Sequence, residues 1–350
     1  MSAVIPLDWS ALLGTIAAGE HLTRADTAEA MREVLQGDAD PVALGALLMG
    51  LRVKGESDEE ILGFADAMLE AAEPLIVPEG TVDIVGTGGS KHRQAHALNV
   101  STMASFVAAA AGATICKHGN VKASSTSGSF DFLAAIGVDI NGTPADIEQQ
   151  LATHGLAFAW AKTFHPAMRH AGPVRSALGL PTVFNILGPL VHPGHVKRVV
   201  LGAATVERAE QLARILTTRN MACAWVVAGY EGLDELSTLG PNDVFEVVGA
   251  DITHSVVTPG DLGLQLASPK DLRGGSGDEN ARIFYEIISP DFDRVPDDAS
   301  AAADIVVLNA GAALVVAGVA VDLTAGTEAA AHALSSGAVE ALYEAFTSPV

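Results

Sequence analysis

The stretch "TVDIVGTGGS", residues 81–90, divides the chain into two patterns of hydrophobicity. Its apolar run ends abruptly in a turn that contains Gly86, Gly88 and Gly89. A glycine turn after a strand lets the backbone bend sharply or approach another group closely. Before this stretch the sequence is typical of consecutive helices, and after it short apolar segments alternate with helical ones. That alternation predicts an α/β sheet whose ligands bind at the carboxyl ends of the strands.

The composition argues against several classes of protein. The chain has 350 residues, of which 49% are hydrophobic, and its formal net charge is −22. Such an acidic surface disfavours general binding to nucleic acid or to an anionic membrane. The two cysteines, Cys116 and Cys223, lack the spacing of metal ligands. We therefore expect neither a disulfide framework nor a zinc site, and we expect a cytoplasmic protein.

One apolar stretch, residues 305–321, resembles a membrane span in composition. It is interrupted by Asn309 and flanked by Asp304 and Asp322. A membrane-spanning helix usually needs about 20 consecutive apolar residues. We therefore expect a buried helix and no membrane partner. The first residues lack a basic start, so no signal peptide is expected.

The change near residue 81 from consecutive helices to alternating strands and helices predicts two domains. Residues 1–76 are expected to form a small helical domain, in which Ser57 and Glu60 are spaced as a capping box. Residues 80–350 are expected to form a larger α/β domain with a central, mostly parallel sheet flanked by helices. A helical insertion near residues 165–180 is expected to join the N-terminal helices, which would leave a ligand cleft between the two domains.

Polar residues follow the first two predicted strands. Residues 86–90 follow the first strand, and Ser101 and Thr102 begin the next helix. Exposed backbone N–H groups, hydroxyls and a helix dipole suit phosphate oxygens. For the glycines alone, a tight turn with serine and threonine caps is an equally good interpretation.

The second strand leads into "KHGNVKASSTSGS", residues 117–129. A solvated loop would explain the hydroxyl groups. It explains less well why Lys117, His118 and Asn120 stand at the end of a buried strand, where an ammonium needs an anionic partner. We interpret this segment as a second phosphate-binding loop.

Asp234 and Glu235 follow a later strand and are candidate magnesium ligands. Adjacent carboxylates on a loop are usually a solvated pair. Beside a polyphosphate they become suitable for Mg²⁺, which prefers a few carboxylates, waters and substrate oxygens. Arg175, in the helical insertion, would either form an ordinary ion pair or bind a carboxylate in a bidentate manner.

The sequence lacks the usual motifs of covalent catalysis. It has no Ser-His-Asp order, no nucleophilic cysteine context and no Walker A lysine, and no third glycine completes a dinucleotide fingerprint. His118 and His165 stand without an evident acid or nucleophile beside them, and isolated histidines are usually structural. These features predict a site for a phosphate-rich ligand and Mg²⁺ without a catalytic residue that attacks or transfers a proton.

Five segments resemble the anthranilate phosphoribosyltransferase family, in the family's order and over nearly the whole chain. They are "DIVGTGGS", "NVSTMASFVAAAAG", "KHGN…SSTSGSFDFLAAIGV", "FHPAMRHAGPVRSALGLPTVFNILGPL" and "GLDELS". The resemblance implies transfer of the 5-phosphoribosyl group from 5-phosphoribosyl 1-diphosphate (PRPP) to anthranilate, with release of pyrophosphate, in tryptophan biosynthesis. It also implies a homodimer formed through the helical domain.

The resemblance also implies roles for individual residues. The PRPP-binding residues would be Gly86, Gly89, Ser90, Asn99, Ser101, Thr102, Lys117, Asn120, Ser124, Ser125 and Ser129. The anthranilate-binding residues would be Gly86, Asn120, Arg175, His118 and His165. The ligands of two magnesium ions would include Ser101, Asp234 and Glu235.

The chain departs from the family pattern at four places. Ser90 stands where the family has Asp, the loop after it is longer and more basic, Ala97 replaces a Thr, and Val121 replaces an Arg. Three rival functions remain open at this stage. They are phosphoribosyl transfer to another aromatic acceptor, pyrimidine-nucleoside phosphorolysis, and nucleic-acid binding by a non-catalytic relative.

Overall fold

The computed structural model describes residues 7–88, 98–121, 127–289 and 297–348, and it contains two compact units. The helical unit comprises Met1–Pro74 and Phe164–Pro193, and the α/β unit comprises Leu75–Thr163 and Gly194–Val350. The chain thus enters the α/β unit, returns once to the helical unit, and then completes the α/β unit.

The described residues form fifteen α-helices and seven strands. The helices are α1 (Trp9–Ala17), α2 (Arg24–Gln36), α3 (Pro41–Lys54), α4 (Asp58–Glu70), α5 (Val100–Ala110), α6 (Ser129–Ala135), α7 (Pro144–His154), α8 (Ala161–Phe164), α9 (Gly172–Leu178), α10 (Val183–Leu187), α11 (Val206–Thr217), α12 (Gly277–Ile288), α13 (Asp297–Ala317), α14 (Leu323–Ser335) and α15 (Ala338–Thr347). The strands are β1 (Val82–Gly86), β2 (Ile115–Gly119), β3 (Leu156–Trp160), β4 (Arg198–Gly202), β5 (Met221–Ala228), β6 (Asn242–Gly249) and β7 (Asp251–Val257).

The capping box of α4 also supplies the central ion pair of the helical unit. Ser57 accepts from the backbone N–H of Glu60, as the sequence predicts. The Glu60 carboxylate in turn accepts from the Ser57 backbone, from the Leu22 backbone at 2.9 Å and from Lys54 Nζ at 2.9 Å. Burial raises the pKa of Glu60, but these donors outweigh burial and the pKa is lowered overall. Glu60 therefore takes part in the cap of α4 and also binds the backbone at Leu22 and the side chain of Lys54.

The α/β unit is built on a single seven-stranded sheet in the order β3-β2-β1-β4-β5-β6-β7. The first five strands in this order are mutually parallel, whereas β6 and β7 pair in antiparallel fashion. One residue separates β6 from β7, which is far too short for a parallel crossover. The predicted fold, a small helical domain with a larger domain around a mostly parallel sheet, is confirmed.

Helix α13 contains residues 305–317 of the apolar stretch noted in the sequence. By length and composition Ser300–Ala317 could cross a membrane, but 72% of it is buried within the protein. Asn309, which is 1% exposed, explains the interruption of the apolar pattern. Its side chain accepts from the Leu236 N–H at 3.0 Å and donates to the Leu236 carbonyl at 2.8 Å. The buried helix thus holds the backbone of the loop that follows β5.

Candidate functional site

Asp234 and Glu235 lie at the carboxyl ends of three neighbouring strands. Both are buried, with relative exposures of 0% and 4%. Glycines end the apolar runs of β1, β4 and β5 at positions 86, 202 and 229. A Cβ atom on Gly86 or Gly202 would collide with Asp234, and one on Gly229 would collide with the carbonyl of Glu235. The acidic loop fits against the sheet only because these three positions lack side chains.

Backbone N–H groups fix the orientation of both carboxylates. Gly88, with a positive φ of 69°, donates to Asp234 Oδ2 at 2.7 Å. Ser101, in the first turn of α5, donates its backbone N–H to Glu235 Oε1 at 3.1 Å. The glycine turn after β1 and the start of α5 therefore meet at the acidic pair, although 146 and 134 residues separate the bonded partners.

The chemistry of this donor set fits magnesium. Asp234, Glu235 and Ser101 offer oxygen atoms, which Mg²⁺ prefers over nitrogen or sulfur. No cluster of three or more His, Cys, Asp or Glu side chains occurs within the described ranges. An ion at this pair would thus need substrate oxygens or water as further ligands, which is the usual arrangement for magnesium. Beside Ser101, the Thr102 hydroxyl is buried and has no hydrogen-bond partner in the described part of the chain.

Lys117 lies within β2, and groups inside the sheet offset part of the cost of burying its charge. Its side chain is 3% exposed, and Nζ donates to the carbonyls of Ile84 at 2.7 Å and His118 at 3.3 Å. Asp83, on the adjacent strand, accepts from the His118 backbone at 3.0 Å. Burial raises the pKa of Asp83 to about 7, although Lys117 lowers it. Asp83 on the adjacent strand is therefore an electrostatic partner of Lys117 within the protein.

Asn120 and Ser129 meet at the carboxyl end of β2. Ser129, the first residue of α6, donates its hydroxyl to the Asn120 carbonyl at 3.1 Å. The side-chain oxygen of Asn120 accepts from the Val121 N–H at 2.8 Å and from Trp160 Nε1 at 3.0 Å. These bonds hold Asn120 at the edge of the sheet where the parallel strands end.

Asn99 immediately precedes α5 and is 3% exposed. Its side-chain oxygen accepts from the Ser127 hydroxyl at 3.0 Å, and its N–H donates to Asn280 Oδ1 at 3.4 Å. Asn99 therefore links the start of α5 to the segment before α6. Its side chain does not cap α5.

Arg175 and His165 belong to the helical unit. Arg175 lies on α9 with its guanidinium 5.1 Å from the centre of the Phe184 ring, and desolvation lowers its pKa. Among the described residues no carboxylate pairs with Arg175, which removes the ordinary ion pair as an explanation for it. His165 is 6% exposed and its Nε2 donates to the Val191 carbonyl at 2.9 Å. Desolvation lowers the pKa of His165 to about 4, so the imidazole is neutral near pH 7.

Comparison with known proteins identifies both parts of the chain. Residues 78–340 match the model of the glycosyl transferase family a/b domain, and residues 10–72 match that family's helical bundle domain. An anthranilate phosphoribosyltransferase from Methylorubrum populi is 42% identical over 329 residues, which covers 94% of this chain and 95% of the relative.

The chain belongs to the anthranilate phosphoribosyltransferase family.

Solved structures agree with this assignment to the anthranilate phosphoribosyltransferase family. The enzyme of that name from Thermus thermophilus superposes with a TM-score of 0.86 at 38% identity, over 96% of this chain and 98% of that one. The Saccharomyces cerevisiae enzyme, in complex with PRPP and Mg, superposes with a TM-score of 0.86 at 26% identity, over 97% and 96% of the two chains. The predictions of the family and of an enzyme that transfers a glycosyl group are confirmed.

The structure brings some of the predicted residues of the anthranilate phosphoribosyltransferase site together and separates others. Gly86, Ser101, Asp234 and Glu235 meet at one place, and Asn120 meets Ser129 at another. His118 is a buried strand residue, with an exposure of 3%. Gly89, Ser90, Ser124 and Ser125 lie outside the described residues, as do Ala97 and the basic residues 91–93. The substrate group that each residue binds stays a prediction.

Sequence reasoning missed five residues that shape these arrangements: Asp83, Trp160, Gly202, Gly229 and Asn309. A signal existed for the glycines, because three apolar runs ("VDIVG", "RVVLG" and "WVVAG") all end in glycine. The sequence shows Asn309 as a polar interruption of an apolar stretch, but it does not show that Asn309 binds the Leu236 backbone. Nothing in the local sequence marks Asp83 or Trp160, since their roles depend on which residue the neighbouring strand places beside them.

Proposed function

We propose that this chain transfers the 5-phosphoribosyl group of PRPP to the amine of anthranilate, giving N-(5-phosphoribosyl)anthranilate and pyrophosphate. The observation that carries the proposal is the buried acidic pair, which backbone donors from the glycine turn and from α5 fix at the carboxyl ends of β1, β4 and β5. In a sheet of this type ligands bind at those strand ends. The family relationship supplies the substrates, which belong to tryptophan biosynthesis.

Magnesium is the proposed cofactor, because a relative has been solved in complex with PRPP and Mg. The proposed number of two ions follows from the family resemblance alone. Ser101, Asp234 and Glu235 would hold magnesium together with substrate oxygens. When bound, magnesium stabilises the negative charge of the departing diphosphate. The buried position of the carboxylates favours this role, because a divalent cation offsets the cost of keeping two adjacent charges away from water.

The remaining assignments follow the carboxyl edge of the sheet. Backbone N–H groups of the glycine turn and hydroxyls at the start of α5 would bind the diphosphate. Lys117, Asn120 and Ser129 would hold the ribose phosphate or the diphosphate, and Arg175 would bind the carboxylate of anthranilate. An aromatic amine is already neutral near pH 7, so the residues need only hold the two substrates in line for the transfer.

We further propose a homodimer formed through the helical domain, and a location in the cytoplasm. Helix α3 carries an exposed apolar stripe that supports the dimer. Val42, Ala46, Met49 and Val53 follow each other at helical spacing, and Val42 and Val53 are 80% and 82% exposed. Exposed apolar residues along one face of a helix favour an interaction surface.

A turnover assay tests the proposed function. Purified protein is mixed with PRPP, MgCl₂ and anthranilate, and the loss of anthranilate fluorescence is followed. We expect turnover that stops when EDTA removes the metal and resumes when excess Mg²⁺ is added. Parallel reactions with uridine or thymidine plus phosphate test the nucleoside phosphorylase alternative. Phosphorolysis without any loss of anthranilate would reject the proposal.

A further inference from the structure

Asn120 is held by four hydrogen bonds, and all four leave its side-chain NH₂ group uninvolved. Its backbone carbonyl accepts from the Ser129 hydroxyl at 3.1 Å and from the Phe130 N–H at 3.3 Å. Its side-chain oxygen accepts from the Val121 N–H at 2.8 Å and from Trp160 Nε1 at 3.0 Å. A residue with this many internal bonds is fixed in one orientation.

The two donors to the side chain determine which way the amide faces. A backbone N–H and an indole N–H can only donate, so the atom between Val121 and Trp160 must be the Asn120 oxygen. The opposite orientation would place the NH₂ group against two other donors. The NH₂ group therefore faces away from both, and within the described ranges no protein group accepts from it. It presents two donors to any acceptor at the end of β2.

The indole of Trp160 is itself held firmly. It ends β3 in register with Gly119 of β2, directly before Asn120. Its ring stacks on Phe130 with centroids 5.6 Å apart and an angle of 18° between the planes. Lys162 Nζ lies 4.9 Å from the ring centre. The indole N–H thus has one fixed direction, and it donates to the side-chain oxygen of Asn120.

We infer that Trp160 is a positioning residue, which holds the Asn120 amide so that its NH₂ group donates to an anionic oxygen of a substrate. The inference rests on the proposed function, because it places Asn120 in the substrate site. The oxygen is a phosphate oxygen of PRPP or a carboxylate oxygen of anthranilate, and both are acceptors only. Trp160 acts through Asn120 and does not touch the reacting atoms.

Trp160→Phe tests the inference because it keeps an aromatic ring and removes the N–H donor. The loss of one neutral hydrogen bond corresponds to about a three- to tenfold change in an equilibrium. We expect the KM of one substrate to rise by about that factor while kcat changes little, and the affected substrate identifies the oxygen. Trp225→Phe is the matched control, because Trp225 donates its indole N–H to Glu246 on the far side of the same sheet. Unchanged KM values in Trp160→Phe would overturn the inference.

Two further variants separate positioning from general stability. Asn120→Asp keeps the side-chain oxygen that Trp160 binds but replaces the NH₂ group by a negative oxygen, so the same KM should rise further than in Trp160→Phe. In the double variant Trp160→Phe/Asn120→Ala, the effect should not exceed that of Asn120→Ala alone. Additive effects on KM would show that Trp160 acts independently of Asn120, and the inference would fail.

A spectroscopic readout keeps the inference distinct from the proposed function. In a ¹⁵N–¹H spectrum, the indole signal that disappears in Trp160→Phe should shift in Asn120→Ala, whereas the Trp225 indole signal should not. A Trp160 signal that does not move would overturn the inference even in an active enzyme. If the unaltered protein failed to convert PRPP and anthranilate, the proposed function would fall and this inference with it.

Discussion

For Lys117 the sequence predicts that a buried ammonium needs an anion, but it does not predict which group supplies the negative charge. The residue pattern predicts that a lysine at the end of a buried strand needs an anion, and a phosphate is the natural candidate in a strand-end loop. Within the sheet, Asp83 on the adjacent strand interacts electrostatically with the ammonium, and two carbonyl oxygens accept its hydrogen bonds. The pairing and register of the strands determine such contacts, and the sequence around Lys117 does not show which residue of the neighbouring strand will lie beside it.

Arg175 is the residue for which the structure strengthens the functional interpretation. No carboxylate in the described part of the chain pairs with Arg175, and its guanidinium packs against the Phe184 ring. We predict that Arg175→Ala raises the KM for anthranilate at least tenfold, since a charge-assisted bond contributes about 1.5–3 kcal/mol, while the KM for PRPP changes little. Initial rates over both substrate concentrations measure this difference. Arg169→Ala, which removes an arginine from the same insertion, is the control, and equal effects on the two KM values would contradict the assignment.

His165 makes the stability of the protein depend on pH. Its pKa in the folded protein, about 4, lies below the ordinary value of 6.5. The unfolded chain therefore binds a proton first as the pH falls, and the stability present above pH 6.5 is lost between about pH 6.5 and pH 4. We expect the free energy of unfolding to fall over this range by up to about 3 kcal/mol more in the wild type than in His165→Gln.

Urea unfolding at pH 7, 5.5 and 4 measures this difference. His170→Gln, in the exposed turn of the same unit, is the matched substitution. If the wild type and His165→Gln lost stability in parallel, His165 would not be the group that titrates.

The ends of the strands show what could be predicted at the level of elements. Short apolar runs bounded by glycines predicted β1, β4 and β5, and the capping signals predicted where α4 begins. The sequence predicts a helical insertion near residues 165–180, and the chain there forms a 3₁₀ turn over Pro166–His170 followed by α9. Pro173, in the first turn of α9, has no backbone N–H, so the helix begins there and does not continue from the preceding turn.

Gly202 gives a prediction for strand β4. A Cβ atom at this position would collide with the carbonyl of Asp234, so Gly202→Ala must displace the acidic loop. We expect the variant to lose about 1–3 kcal/mol of stability and to need more Mg²⁺ for half-maximal activity. Gly260→Ala is the control, because nothing lies within 4 Å of a Cβ atom there. Unfolding curves and a magnesium titration measure both effects, and a Gly202→Ala protein with unchanged metal dependence would separate this loop from the metal site.

The fold class of the whole molecule was accessible from the alternation of elements, whereas the proposed homodimer followed only from the family resemblance. The exposed stripe on α3 becomes visible only when the buried face of that helix is known, because apolar residues occur on both faces. Leu44, Leu47, Leu48 and Leu51 are buried, so the stripe is a second apolar face that the helical unit does not cover.

Replacing one residue of the stripe tests the proposed homodimer. We predict that Val53→Glu converts a dimer into a monomer, because it places a charge on both copies of a symmetric apolar interface. Light scattering coupled to size exclusion measures the mass. Val321→Glu, at a 91% exposed position of the α/β unit, should leave the mass unchanged. A wild type that runs as a monomer at micromolar concentration would exclude this dimer.

The two hydrogen bonds between Asn309 and Leu236 have a consequence for synthesis of the protein on the ribosome. Asn309 lies 73 positions after Leu236, so that whole length must be translated before the amide can bond to the backbone next to the acidic pair. Until α13 emerges, the N–H and carbonyl of Leu236 lack these two hydrogen bonds. A nascent or truncated chain that ends before residue 305 thus contains every proposed metal ligand, yet we expect it to lack a formed site.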